Sequence, residues 1–109
     1  MNCPTEIKEL LEVLYNLSGS ETEVMYYLCD NKARASEIAG ELGKDRSTIQ
    51  RYLSKLRTAG LVERETVNEE GKRGRYYVYS VPDKQKMKQR VRRRMEEWSD
   101  ERLSALERL

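Results

Sequence analysis

The chain of 109 residues has no histidine and no phenylalanine, two cysteines, two prolines and a single tryptophan. Each shortage removes a class of function. Without histidine there is no Ser-His-Asp or Cys-His catalysis, and the commonest transition-metal ligand is gone. Two cysteines cannot complete a structural zinc tetrahedron. Cys3 reads as an exposed residue near the terminus and Cys29 as a small core residue on an apolar helix face. Two isolated thiols point to a reducing, cytoplasmic setting and not to a disulfide framework. No apolar run approaches the ~18 residues that would span a bilayer. Glu6 and Glu9 near the start argue against a signal peptide. No enzyme activity, metal, cofactor or membrane partner is therefore expected.

Hydrophobic residues make up 38% of the chain and charged residues 37%, enough for one modest core. The net charge of +2 hides strong blocks. Residues 1–31 carry a net −5, residues 32–83 +3, residues 84–94 +7 with no acid, and residues 95–109 −3. Such segregation points to one surface that meets a polyanion and another that faces solvent or a partner.

Apolar spacing near 3.6 predicts helices over residues 5–17, 21–29, 36–42 and 46–59. Ser20 and Glu23 have capping-box spacing at the start of the second. A short extended piece at 33–35 precedes the third helix. Gly43 suits its left-handed C-terminal position, and Asp45 suits the cap of the fourth helix. Gly60 ends that helix, with Leu61 folding back as a Schellman contact. The period then changes to two. Residues 61–67 and 75–81 read as strands joined by a protruding loop, 68–74. After Pro82, residues 83–109 contain neither Gly nor Pro and read as a long helix. A bend near Ser99 is an open alternative there.

Helix, helix, short strand, helix, turn, helix, hairpin is the order of a winged helix-turn-helix. The expected class is mainly α with a small β-hairpin wing. Residues 1–82 form the DNA-binding domain and residues 83–109 a C-terminal dimerisation helix. The fourth helix is the recognition helix. With Ile49, Leu53 and Leu56 inward, Ser47, Arg51, Ser54 and Thr58 point away, flanked by Thr48, Gln50 and Lys55. Small hydroxyls, an amide and guanidinium groups suit base edges and phosphates. No acid lies between residues 46 and 59, unlike an ordinary solvated helix face. Arg51 and Gln50 are expected at bases, Arg46, Ser47, Thr48 and Ser54 beside them, and Lys55, Lys72, Arg73 and Arg75 at phosphates. Glu69 and Glu70 weaken the wing assignment.

The set Ser36-Glu37-Ile38-Ala39, Leu42-Gly43, residues 46–53 (RSTIQRYL), Ala59-Gly60-Leu61-Val62-Glu63-Arg64, Gly74-Arg75-Tyr76-Tyr77 and Glu96-Glu97-Trp98 resembles archaeal TrmB-like winged-helix transcription regulators, related to the MarR and ArsR families. The resemblance implies cytoplasmic, dimeric, sequence-specific binding to double-stranded DNA. Larger TrmB-like regulators carry a sugar-binding domain after the winged helix. Here one helix follows, so no effector pocket carries over.

Along that last helix Met87, Val91, Met95, Trp98, Ala105 and Leu109 make a stripe near heptad spacing, with Leu106 beside it. Pairing with a second copy would bury it. The alternative is packing back on its own first helix. The run 84–94 either flanks DNA or faces the acidic end of an antiparallel partner. Two other functions share the fold: a weakly specific chromatin-like protein and a protein-interaction module.

Overall fold

A computed structural model describes residues 3–68 and 74–109. A 3₁₀ turn, Thr5–Ile7, leads into α1 (Lys8–Tyr15), followed by α2 (Gly19–Asp30), α3 (Ala35–Leu42), α4 (Arg46–Thr58), β1 (Glu63–Asn68), β2 (Arg75–Ser80) and α5 (Lys84–Leu106). The class is mainly helical with a two-stranded antiparallel hairpin, as the sequence predicts. The expected wing loop falls largely outside the described residues, and Lys72 and Arg73 with it.

Local chemistry sets the boundaries. The capping box forms two residues earlier than expected. Ser18 Oγ accepts from the Glu21 amide at 3.1 Å, and Glu21 Oε1 accepts from the Ser18 amide at 2.7 Å. Ser18/Glu21 and Ser20/Glu23 have the same spacing, but only the first pair closes, so α2 starts at Gly19. The expected α4 terminator does form. Gly60 sits at φ +79°, the Leu61 amide donates to the Leu56 carbonyl and the Gly60 amide to that of Arg57, a Schellman closure. Asp45 takes the N-cap position of α4, but its side chain makes no capping bond.

The core gathers Leu11, Val24, Met25, Leu28, Ile38, Ile49, Leu53, Leu56 and Leu61, each almost fully buried. α4 packs on α2 and α3, while β1 and β2 pair in register from Glu63↔Ser80 to Asn68↔Arg75. Ala33 adds a bridge to Tyr79, exchanging two backbone hydrogen bonds of 3.1 and 2.8 Å. The root of the hairpin is thereby fixed to the entry of α3.

One expectation is corrected. Cys3 and Cys29 form a disulfide with Cα atoms 5.8 Å apart, inside the separation a disulfide needs. Pro4 and the 3₁₀ turn fold the N-terminal segment back onto α2, where the Tyr26 hydroxyl donates to the Pro4 carbonyl at 2.6 Å. The thiols are therefore neither isolated nor free. The long helix expected after Pro82 is there, and the open alternative of a bend near Ser99 does not occur: α5 runs without a break for 23 residues, about 35 Å. Its N-terminal half packs against α1 as far as the Arg94–Leu14 contact, and its C-terminal end projects; the molecule measures 63 × 27 × 22 Å.

Candidate nucleic-acid interface

The outer face of α4 carries Arg46, Ser47, Gln50, Arg51 and Ser54, all exposed, with Thr48 half-buried beside them. Their placement follows from the inward stripe: Ile49, Leu53 and Leu56 take the core side and leave the polar residues outside. Neither Arg46 nor Arg51 pairs with an acid among the described residues.

Next to this face a polar cleft of about 240 Å³ is lined by Arg34, Ser36, Arg46, Gln50, Arg75 and Tyr76. Three guanidinium groups from three elements thus border one concavity, where α3 and α4 both begin. Helix starts carry unsatisfied amides and partial positive charge. The neighbouring aromatic rings orient the cations. The Arg34 guanidinium lies 4.2 Å from the Tyr76 ring centre, and that of Arg64 lies 3.9 Å from Tyr77. These stacked pairs hold flat, multi-donor groups facing outward, suited to phosphate oxygens. Arg75 stands at the start of β2, exposed, on the cleft's far side.

Arg34, Ser36 and the tyrosine supports were not among the residues expected at the site, although Ser36, Tyr76 and Tyr77 belong to the motifs behind the family resemblance. The signal was there for Tyr76 and Tyr77, in the Gly-Arg-Tyr-Tyr run. Arg34 precedes a helix and gave no periodic cue.

Lys55 is the correction within the site. Its ammonium donates to the Asn16 carbonyl at 2.6 Å and to Glu21 Oε1 at 3.0 Å. It closes the end of α1 and ties α4 to α2, so its charge is already answered before any phosphate arrives. Burial alone would raise the Glu21 pKa. The Ser18 amide and hydroxyl and the Lys55 ammonium outweigh it and hold the carboxyl below its ordinary value.

The basic run on α5 is also largely committed. Arg90 donates to the Gly60 carbonyl at 2.7 Å, and Arg94 donates to the Leu14 carbonyl at 2.9 Å. Arg90 and Lys86 both reach Glu63, each at 3.4 Å. The Tyr15 hydroxyl donates to the Arg90 carbonyl, and burial raises its pKa, with Arg94 opposing.

The residues expected on the dimer stripe separate into two groups. Met87 is in the molecule's own core at 7% exposure, and Val91 packs against it. The alternative of packing back thus holds for the N-terminal half of the helix, because α1 presents an apolar face there. Met95, Leu106 and Leu109 are 45%, 59% and 99% exposed. Trp98 is half-buried with its Nε1 lacking a hydrogen-bond partner, and Arg102 lies 5.0 Å from its ring.

The profile of the bacterial regulatory protein, arsR family, matches residues 20–64, which span α2, α3, α4 and the entry to the hairpin. Two uncharacterized proteins of Methanocaldococcus jannaschii are similar over most of the chain. MJ1503 is 34% identical over 91 residues, covering 82% of this chain and 67% of its own length. MJ1082 is 30% identical over 93 residues, covering 84% and 76%. The chain belongs to the winged helix-turn-helix transcription regulators of the ArsR/MarR kind. A possible transcriptional regulator from Methanosarcina mazei Go1 has the same fold as this ArsR/MarR-like chain, with a TM-score of 0.78 at 21% identity over 99% of this chain and 92% of that one. No helix among the described residues of this ArsR/MarR-like chain is long and apolar enough to cross a membrane.

Proposed function

We propose that this DNA-binding regulator acts as a homodimer that reads specific sequences. α4 enters the major groove with Gln50 and Arg51 at base edges. Ser47, Thr48 and Ser54 permit close approach. Arg34, Arg46 and Arg75 hold phosphates around the cleft between α3, α4 and β2, and Lys72 and Arg73 of the wing extend that contact. The observation that carries this reading is the acid-free outer face of α4 beside a cleft bordered by three arginines. A protein-docking face would be apolar or acidic, and this one is neither.

The exposed part of α5 supports pairing of two copies, which sets two recognition helices on a two-fold operator. The test is selection from genomic fragments, followed by titration of the selected duplex against a scrambled one. The expected result is a preference of about 10³-fold or more for the selected duplex. Equal affinity for both would assign a weakly specific, chromatin-like role, and no binding to either would leave the interaction-module reading.

A further inference from the structure

α5 meets the winged helix on two sides that are built differently. On one side it packs on α1, and Met87 and Val91 join the core. Toward the end of α4 and the start of β1 it stands off. A polar cleft of about 600 Å³ lies there, lined by Arg57, Gly60, Glu63, Arg64, Lys86 and Arg90. A second cleft of about 380 Å³ runs from Ala59 and Gly60 to Arg93 and Arg94. Arg90 borders both clefts, so its side chain is a strut across the gap between α5 and the end of α4.

The strut is fixed at both ends. The Arg90 carbonyl accepts from the Tyr15 hydroxyl at 3.3 Å, which holds its main chain to the end of α1. Its Nη1 donates to the Gly60 carbonyl at 2.7 Å, a distance typical of charge-assisted bonds, and lies 3.4 Å from Glu63 Oε1. Gly60 leaves room for this contact, since a Cβ there would meet Arg90 Cδ at 3.4 Å. Lys86 bonds to Glu63, and Arg94 bonds to the Leu14 carbonyl at the end of α1. Among the described residues of α5, Arg90 alone bonds to the turn that ends α4.

We infer that Arg90 is a positioning residue for operator recognition: it holds the recognition helix at one angle to α5 and so sets the spacing between half-sites that the protein accepts. The inference rests on the homodimer proposed above and adds the joint that fixes the separation of its two recognition helices. Arg46, at the reading end of α4, precedes Gly60 by 14 residues, about 21 Å along the helix. A tilt of about 10° at this joint moves that end by about 3.6 Å, while one base pair of duplex is about 3.4 Å of length and about 34° of twist. Ile49, Leu53 and Leu56 lock α4 into the core, so the tilt belongs to the whole winged helix. Two-fold symmetry applies it to both copies. With the strut removed, packing on α1 alone leaves each winged helix free to follow a half-site one base pair away.

The test titrates the full chain with duplexes that carry the two selected half-sites at spacings changed one base pair at a time. For the wild type, binding one base pair from the preferred spacing is expected to be about tenfold weaker, because the duplex must be twisted to fit. Arg90→Met keeps the stem over Gly60 and removes the donors. It is expected to cut that penalty to less than about threefold, with the affinity for a duplex bearing a single half-site unchanged. Should Arg90→Met not fold, Arg90→Gln, polar but too short to span the cleft, is read in the same way. Arg94→Ala, which releases α5 from α1 and not from α4, is expected to keep the wild-type penalty, which separates positioning from lost stability. An unchanged penalty in Arg90→Met, or an equal loss in Arg94→Ala, would overturn the inference and keep the homodimer. So would a wild type that prefers paired half-sites but accepts every spacing equally. A wild type that binds a single half-site as tightly as the pair would overturn the homodimer and the inference together.

Discussion

α4 and the first half of α5 are both rich in cations and free of acid, yet their cations end in different places. On α4, Arg46 and Arg51 extend from the exposed face and form no ion pair with an acid among the described residues. On α5, Arg90 and Arg94 turn inward and donate to backbone carbonyls of Gly60 and Leu14. Those carbonyls lie where α4 and α1 end, and the end of a helix leaves acceptors unmet. The arginines supply the missing donors and join α5 to the rest of the molecule. The α5 run has the larger net charge, +7, but much of it is structural. What separates the two is whether a neighbouring element offers an acceptor within reach of the side chain.

Substitutions that exchange the two behaviours sharpen this comparison. Arg51→Ala is expected to weaken DNA binding by about 1–3 kcal/mol, roughly fivefold to 150-fold, and to relax sequence preference, with the melting temperature unchanged. Titration on the selected and scrambled duplexes measures it, and an unchanged affinity would remove Arg51 from the interface. Arg94→Ala is expected to do the opposite. It leaves the Leu14 carbonyl without its donor, costs about 1–2 kcal/mol of folding stability, and leaves the affinity of the folded protein for DNA unchanged. Denaturant unfolding checks the first part, and DNA titration well below the melting temperature checks the second.

A smaller effect comes from Glu21, where α4 is tied to α2. Its folded pKa is lowered, so its bonds contribute stability above the ordinary carboxylate range and lose it as pH falls through the lower folded value. Glu21→Gln is expected to cost about 1 kcal/mol at neutral pH and to flatten that acid-side decline. Unfolding measured from neutral pH down to the acid limb gives both numbers. A variant with an undiminished acid-side slope would place the pH dependence elsewhere.

Much of this architecture is legible in the sequence because it is local. The inward stripe of Ile49, Leu53 and Leu56, the Gly60–Leu61 closure and the switch to period two each depend on residues within one turn or one strand. The outer face of α4 follows from the same stripe by geometry. What escapes is what depends on distant parts of the chain. Lys55 is separated by 34 residues from Glu21, and Arg94 by 80 from Leu14. No periodicity shows that these cations meet acceptors. The Cys3–Cys29 bond spans 26 residues, and nothing in that spacing indicates that the N-terminal segment folds back on α2. The capping box was missed for a different reason, since two overlapping Ser-x-x-Glu pairs offered equal claims and tertiary packing of Glu21 chose between them. Arg34 belongs to the site only because the Ala33–Tyr79 bridge brings β2 alongside the start of α3.

The contrast between the two helices is tested most directly by amide spectra of the ¹⁵N-labelled chain titrated with its selected duplex. The expected result is that the largest shifts fall on Arg34, Ser47, Gln50, Arg51 and Ser54, with residues 84–94 nearly unmoved. Shifts concentrated in 84–94, with α4 unchanged, would contradict it and make the basic run of α5 the nucleic-acid surface.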